Sequence, residues 1–432
     1  MAQSLCAILL VFAIAILLRC PLAISMMAVG SVFLIYSLGF SSAVSIIGSS
    51  AYHVVGNWLY TVIPMFIVMG EFIGRSGIIS DCFYLFKRLV GGLRGALCVA
   101  TIITSVLLSF ATGSSLAATA LLARIAYPEM TKARYTKAES LSALLAGGSL
   151  ANMIPPSIGL PLYAILTNQS IAKMLMAGVV PGLLACALYI LYILLTSKGV
   201  AVTHSDDPKN VPGVASFATM IRFISFFLLV SVMVTGIHFG FFSAIEASSI
   251  GACGAFLIAL VFGRLRWVAL NECLKNSIIL IGVIFFLLFG IGLFSRYLAF
   301  TGFSRTLASL VVQKEVSPTV FIMLVGIAYL GLGCLIDPTS MLLLVVPILY
   351  PTVQALGIDP IWFGVYTIAW VQIGQLTPPV GMSVYVLHSV TREPLEECFR
   401  TAIPVIIVWV TVVAAMVAYP NLVLWLPSTV RG

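Results

Sequence analysis

Long apolar runs alternate with short charged stretches along the whole chain, and most runs are long enough to cross a bilayer as a helix. Full crossings are predicted near residues 4–18, 22–38, 58–73, 139–168, 174–196, 222–239, 242–262, 277–295, 360–391 and 401–420. Two of these, 139–168 and 360–391, are longer than one crossing needs, and each carries a proline pair in its middle: Ile154-Pro155-Pro156-Ser157-Ile158-Gly159 and Thr377-Pro378-Pro379-Val380-Gly381. Proline cannot donate a backbone hydrogen bond and breaks a helix interior. In lipid the freed carbonyls need partners, so broken helices persist only where protein or a water-filled cavity covers them. Two such breaks in corresponding positions of two halves are the pattern of a secondary transporter's binding site.

Two further apolar stretches, 95–124 and 317–349, contain small residues or glycine at their centres. They read either as full spans or as re-entrant hairpins, and charge separates the options. With both re-entrant and the N-terminus outside, 17 of the 22 Lys and Arg residues fall in cytoplasmic loops and 5 outside. That split satisfies the positive-inside rule, and making either hairpin a full crossing spoils it. The polar stretch His204-Ser205-Asp206-Asp207-Pro208-Lys209-Asn210 then marks a cytoplasmic linker, 197–221, between a first half, 1–196, and a second, 222–432. Two amphipathic segments, Ala43–Val55 and Leu265–Asn276, are expected to lie along the membrane interfaces.

The halves resemble each other. A shift of 223 residues lays Tyr127-Pro128 on Tyr350-Pro351, Pro155-Pro156 on Pro378-Pro379 and Ser114 on Asp337. Beyond the proline pairs the offset falls to 222, matching Gly159 to Gly381 and Tyr163 to Tyr385, and upstream Ser76-Gly77-Ile78 resembles Thr301-Gly302-Phe303 at 225. Each half holds an odd number of crossings, which makes the second inverted relative to the first. The predicted fold is therefore an all-α polytopic membrane protein, an inverted repeat with two re-entrant helical hairpins and two broken helices.

Composition supports this class. The 432 residues are 61% hydrophobic and 8% charged, with a mean hydropathy of +1.16, against about a quarter charged in soluble domains. The net charge of +8 is spread over short loops rather than gathered in a patch, which argues against nucleic acid as a partner. The nine cysteines lie singly without CxxC or zinc-ligand spacing, and the four histidines are scattered. Residues 5–18 lack a positive n-region, and Arg19-Cys20-Pro21 is a poor cleavage site, so the segment is expected to be retained. No Gly-x-x-x-x-Gly-Lys-Ser/Thr loop, His-Glu-x-x-His or nucleophile elbow is present, so neither ATP-driven transport nor a membrane enzyme is indicated.

The predicted hairpin tips are Ala111-Thr112-Gly113-Ser114-Ser115 and Gly333-Cys334-Leu335-Ile336-Asp337-Pro338. Each should meet the proline break of the following helix. Together they offer carbonyls, hydroxyls and one carboxylate, hard ligands that suit an alkali cation, while helix N-termini offer N–H groups to an anion. Asp337 is the sharpest candidate, because an ionisable group inside a span is costly. It also reads as the N-cap of a helix starting at Pro338, and the two roles are compatible. Ser114 and Ser115 read either as ligands or as caps and packing residues. Glu71 and Glu246 lie at or within spans, and for Glu246 a structural hydrogen-bonding or ion-pairing role is favoured over proton carriage.

At this point the chain resembles the large membrane subunit, of DctM type, of tripartite ATP-independent periplasmic (TRAP) transporters. The resemblance rests on Gly113-Ser114-Ser115, Tyr127-Pro128-Glu129-Met130, Ile154-Pro155-Pro156-Ser157, Ala177-Gly178-Val179-Val180-Pro181-Gly182, Gly333 with Asp337, Leu356-Gly357-Ile358-Asp359-Pro360 and Thr377-Pro378-Pro379-Val380-Gly381. It runs essentially end to end. It implies an ion-transporter-superfamily fold of elevator type in a bacterial inner membrane, importing an organic anion such as a carboxylate or sialic acid on a sodium gradient. It implies two partners, a periplasmic substrate-binding protein of DctP type and a separate four-helix membrane subunit of DctQ type, and no cofactor beyond the coupling ion. By motif, the sodium ligands would come from Gly113, Ser114, Ser115 and Pro155 at one site, and from Gly333, Asp337, Thr377, Pro378 and Gly381 at the other. Thr112, Asn152, Pro156, Ser157, Trp370, Gln375 and Pro379 are the neighbouring candidates for substrate contact. The chain departs from the family pattern at Asn152, at Trp370 where an Asn is common, and at Gln372 and Gln375, which add amides. The alternative is a free-standing sodium/dicarboxylate symporter or anion permease without a binding protein.

Overall fold

A computed structural model describes residues 21–197, 217–262, 265 and 267–430. The predicted first crossing, 4–18, and most of the predicted linker, 198–216, lie outside the described residues. Among the described residues the chain is all helix, with no strand.

In the first half, α1 (Leu22–Leu38) turns at Gly39 into α2 (Phe40–Gly56), and a short 3-10 turn at Trp58–Thr61 leads into α3 (Val62–Ser76). Then come α4 (Ile78–Leu89), a hairpin of α5 (Ala96–Thr112) and α6 (Ser115–Lys132), a broken helix of α7 (Lys137–Leu150) and α8 (Gly159–Leu166), and α9 (Ile171–Thr196). The second half holds α10 (Phe217–His238), α11 (Ala244–Val261), α12 (Trp267–Thr301) and α13 (Phe303–Gln313). They are followed by a hairpin of α14 (Pro318–Gly333) and α15 (Pro338–Ala355), a broken helix of α16 (Pro360–Leu376) and α17 (Met382–Thr391), and finally α18 (Leu395–Ala418) and α19 (Asn421–Ser428). Seven helices among the described residues are long and apolar enough to cross a membrane.

Local chemistry explains the boundaries. Helices α14, α15 and α16 each begin with a capping residue followed by proline: Ser317-Pro318, Asp337-Pro338 and Asp359-Pro360. The cap oxygen satisfies an orphan N–H of the first turn, and the proline has no N–H to orphan. Thr136 and Glu139 form a capping box that starts α7. Helices α4 and α13 both follow a left-handed glycine, Gly77 (φ 75°) and Gly302 (φ 68°), and neither helix was expected from hydrophobicity alone.

Two expectations are corrected. Leu265–Asn276 does not form a separate interfacial segment. From Trp267 onward it is the first part of α12, one continuous helix of 35 residues, about 52 Å long and well beyond the ~30 Å hydrocarbon thickness. Helix α10 starts at Phe217, inside the predicted linker and ahead of the crossing expected at 222. The Arg222 guanidinium within this helix pairs with Asp81 of α4 at 2.8 Å and sits 5.7 Å over the Phe262 ring, so its charge is accommodated there. Glu246 is exposed in the first turn of α11, where it completes a capping box with Ser243. This is a structural hydrogen-bonding role, as expected, and among the described residues Glu246 pairs with no Arg.

Packing divides the helices into two groups. Helix α3 lies along α11 and α12, and α12 along α1, forming one layer. The hairpins and broken helices form the other, and they interlock across the halves: α8 packs on α15, and α17 packs on α6.

Candidate functional site

Both hairpin tips meet helix breaks. At the first, Gly113 (φ 55°) makes the turn between α5 and α6, and its carbonyl accepts the N–H of Ile158 at 3.3 Å. A Cβ at position 113 would come within 3.2 Å of that same nitrogen, so the close approach and the left-handed backbone both call for glycine. At the second tip, Cys334 Sγ lies 3.0 Å from the Pro378 carbonyl oxygen. Gly333 packs directly on Gly374, where an added Cβ would stand 2.6 Å from the facing Cα.

A cavity of about 510 Å³ separates these tips from the α3–α12 layer. One wall is apolar, with Ile67 of α3 and Leu280, Val283, Ile284 and Leu287 of α12. The other carries Thr112, Gly113, Ser114, Ser115, Asn152, Gly159 and Asp337. Asp337 Oδ1 accepts the Ser340 N–H at 3.0 Å as the N-cap of α15, and Oδ2 has no protein donor among the described residues. Both sequence-derived roles for Asp337 are thus geometrically compatible. Ser114 is the N-cap of α6 by backbone conformation but makes no side-chain cap, which leaves its hydroxyl uncommitted among the described residues. Ser115 is buried and donates to Gln372 Oε1 at 2.8 Å. Asn152 is buried with its amide over Gly159, where a Cβ would come within 3.2 Å of Oδ1.

The remaining candidates lie elsewhere. Pro155, Pro156 and Ser157 are buried behind the first tip and do not line the cavity, and Ser157 Oγ accepts from Leu160 N–H at 3.4 Å. Trp370 packs on Gly326 of α14 and meets the Tyr366 ring edge-on at 6.2 Å, away from the cavity. Gln375 is buried beneath Gln372. Thr377, Pro378, Pro379 and Gly381 form the second break, where the two prolines are exposed. Thr377 Oγ1 caps back to the Ile373 carbonyl at 2.8 Å.

Three charged residues that sequence reading treated as topological or merely costly prove to line the cavity: Glu71, Arg75 and Arg124. Arg75 is paired with Glu272 at 2.6 Å. Their common signal is a charge at or just beyond the end of a predicted apolar run, 58–73 for Glu71 and Arg75 and 95–124 for Arg124, although Arg124 lies in the middle of α6.

With this geometry in view, comparison with known proteins is decisive. Residues 9–422 match the DctM component of the tripartite ATP-independent periplasmic transporter. The chain belongs to this family. The DctM-family relatives include the sialic acid TRAP transporter large permease protein SiaM of Vibrio cholerae, 29% identical over 415 residues, covering 95% of this chain and 96% of that protein. The C4-dicarboxylate TRAP transporter large permease protein DctM of Pseudomonas aeruginosa is 30% identical over 370 residues, covering 85% of each. Among solved structures, the Alcanivorax borkumensis YdaH transporter superposes with a TM-score of 0.62 at 13% identity, covering 90% of this chain and 91% of that one. Neisseria gonorrhoeae MtrF gives 0.60 at 12%, covering 88% and 85%. At such identities the likeness concerns the fold. This DctM-family chain is accordingly a multi-pass membrane component of a transporter.

Outside the apolar segments, a polar tie joins the halves. Lys137 Nζ and Tyr127 Oη donate to Glu393 at 2.7 and 2.6 Å. Lys137 first, then Tyr127, hold the Glu393 carboxyl below the usual carboxylate range. A carboxyl with a depressed folded-state pKa contributes stability that is present above its unfolded value, about 4.3, and is lost as pH falls through the folded value. The thermal midpoint of the solubilised protein should therefore lose this contribution only below about pH 4.3. Glu393→Gln should lower the midpoint modestly at pH 7 and flatten that part of the acid limb. Superimposable acid limbs for the two proteins would count against the tie.

Proposed function

We propose that this chain is the large permease subunit of a binding-protein-dependent secondary transporter that imports an organic anion into the cell, coupled to a sodium gradient. The observation that carries the proposal is the cavity itself. Two helical tips present hydroxyls, carbonyls and the Asp337 carboxylate on one side of it, and Arg75 and Arg124 line it as well. Its volume of about 510 Å³ falls in the range of small-ligand sites.

Family membership supports a tripartite assembly. The partners would be a small four-helix membrane subunit and a periplasmic substrate-binding protein, with the complex in a bacterial inner membrane and the N-terminus periplasmic. The relatives bear names for sialic acid, C4-dicarboxylates and ectoine at 29, 30 and 26% identity. Similarity therefore does not choose the substrate; Arg75 is already paired with Glu272, which leaves the Arg124 guanidinium as the group for an anion.

Within this proposal Gly113, Ser114 and Ser115 serve one cation site, with Pro155 behind them, and Asp337, Gly333, Thr377, Pro378 and Gly381 serve the second. Substrate would meet Thr112 and Asn152, the two substrate candidates that line the cavity. The hairpins and broken helices would move as an elevator against the α3–α12 layer, with both hairpins re-entrant and the halves related as inverted repeats. With the N-terminus periplasmic as proposed, a cavity that reaches Arg75 and Arg124 would open toward the cytoplasm.

The test is uptake of labelled organic acids into proteoliposomes holding this chain and its small partner, with and without an inward sodium gradient and a cognate binding protein. Uptake that requires both is the expected result. Uptake that needs sodium but no binding protein would favour the free-standing carrier, and uptake indifferent to sodium would overturn the coupling.

A further inference from the structure

A chain of buried polar side chains from the other half, Gln372, Gln375 and Ser383, stands behind the first hairpin tip. Ser115 Oγ lies 2.8 Å from Gln372 Oε1, and both side chains are buried. Gln375 Nε2 lies 3.2 Å from the same Oε1 and 3.4 Å from the Val371 carbonyl, and Ser383 Oγ lies 3.2 Å from Gln375 Oε1.

These contacts determine which way the protons point. A carbonyl only accepts, so the end of Gln375 beside Val371 is its NH2 group. That NH2 faces Gln372, so Gln372 presents its oxygen there, and the Ser115 hydroxyl must donate to that oxygen. The hydroxyl proton of Ser115 is thereby directed away from the cavity that Ser115 lines.

We infer that Gln372 is a positioning residue: it holds the Ser115 proton so that the lone pairs of Oγ remain available to a cation at the first tip. The inference rests on the cation reading of that tip proposed above. A hydroxyl can ligate a cation only if its proton is turned elsewhere, and outer-shell acceptors commonly perform that task. Without Gln372, the hydroxyl would turn its proton to a backbone carbonyl of its own helix or hairpin, as buried serines commonly do, and Oγ would reorient with it.

A packing role does not account for the residue. Gln372 Nε2 is buried and has no hydrogen-bond partner among the described residues, a cost that an apolar side chain of similar size would avoid. The half of the amide that is satisfied is the half that faces Ser115. Retaining an amide with one orphaned end is explicable where the other end has a task.

Sodium alone serves as the probe. A ligand that binds only the folded protein stabilises it by RT ln(1 + [L]/Kd). The solubilised full-length chain is therefore titrated with NaCl at constant ionic strength against choline chloride, and the half-effective sodium concentration is the Kd fitted to that rise. Gln372→Met removes the acceptor at nearly constant volume and should raise the half-effective sodium concentration about tenfold. Ser115→Ala should raise it at least as much. In the Ser115→Ala background, Gln372→Met should change it no further, because the amide acts only through the hydroxyl. Gln372→Glu, which keeps an acceptor, should respond to sodium at least as tightly as the parent.

The outcomes separate the two ideas. No sodium-specific shift in the parent protein overturns the cation reading and this inference with it. A parent response that Gln372→Met leaves unchanged, or that it weakens equally with and without Ser115, overturns the positioning role alone.

Discussion

Asp337→Asn is expected to weaken the sodium dependence of uptake by about ten- to a hundredfold, the range a lost charged ligand of roughly 1.5–3 kcal/mol implies. The substitution is informative because it separates two roles. Asn caps a helix as well as Asp does, so the bond from Ser340 N–H to the side chain at 337 survives and α15 keeps its start. What disappears is the charge, including the oxygen Oδ2 that no described protein group engages. The matched control lies in the same half. Asp359 also precedes a proline and caps a helix, accepting from Ile361 and Trp362 at 2.8 and 2.9 Å, but it does not line the cavity. Asp359→Asn should leave uptake within about twofold, because its cap survives too. Glu129 would be a poorer control, since Lys87 holds it at 2.8 Å and Lys132 at 3.2 Å. Sodium titrations of initial uptake rates decide the matter, and equal behaviour at 337 and 359 would remove Asp337 from the site.

The second large effect concerns Gly70. A Cβ at this position would overlap the carbonyl of Ala111 at the end of α5. Backbone cannot rotate away as a side chain can, so even alanine must push the first hairpin tip off α3. Overpacking of this kind costs about 1–3 kcal/mol, enough to lower uptake about tenfold or more if the contact belongs to the working cycle. Gly74, one turn further on, has nothing within 4 Å of its Cβ position. Gly74→Ala should be neutral or slightly stabilising, since alanine favours a helix by about 1 kcal/mol over glycine. Matching uptake and thermal midpoints for the two alanine variants would contradict the contact.

The broken helices were legible because proline leaves a physical trace: a lost donor inside an apolar run has few resolutions in lipid. The caps at Asp337 and Asp359 were readable for the same reason, as Asp-Pro has few structural uses besides starting a helix. The cavity walls were less legible, because neighbours in sequence need not face the same way. Trp370 and Gln372 are two positions apart, about 200° around a helix. Proximity to the break nominated Trp370, yet it faces Gly326, while Gln372 faces Ser115. Glu71, Arg75 and Arg124 escaped because a charge at the end of an apolar run equally suits topology, and only tertiary packing brings them to one space. The short helices after Gly77 and Gly302 were missed because neither is apolar enough to register as a span, although the matched triplets around those glycines marked where each begins.

The two breaks differ in one respect that their sequences conceal. Pro155, Pro156 and Ser157 are buried, whereas Pro378 and Pro379 are exposed. Protein therefore holds the first break on all sides, whereas the second presents its prolines at the surface of the chain, to lipid or to a partner. On the proposed reading, the first tip would be fixed by the fold of this chain alone, and the second would depend on what covers Pro378 and Pro379.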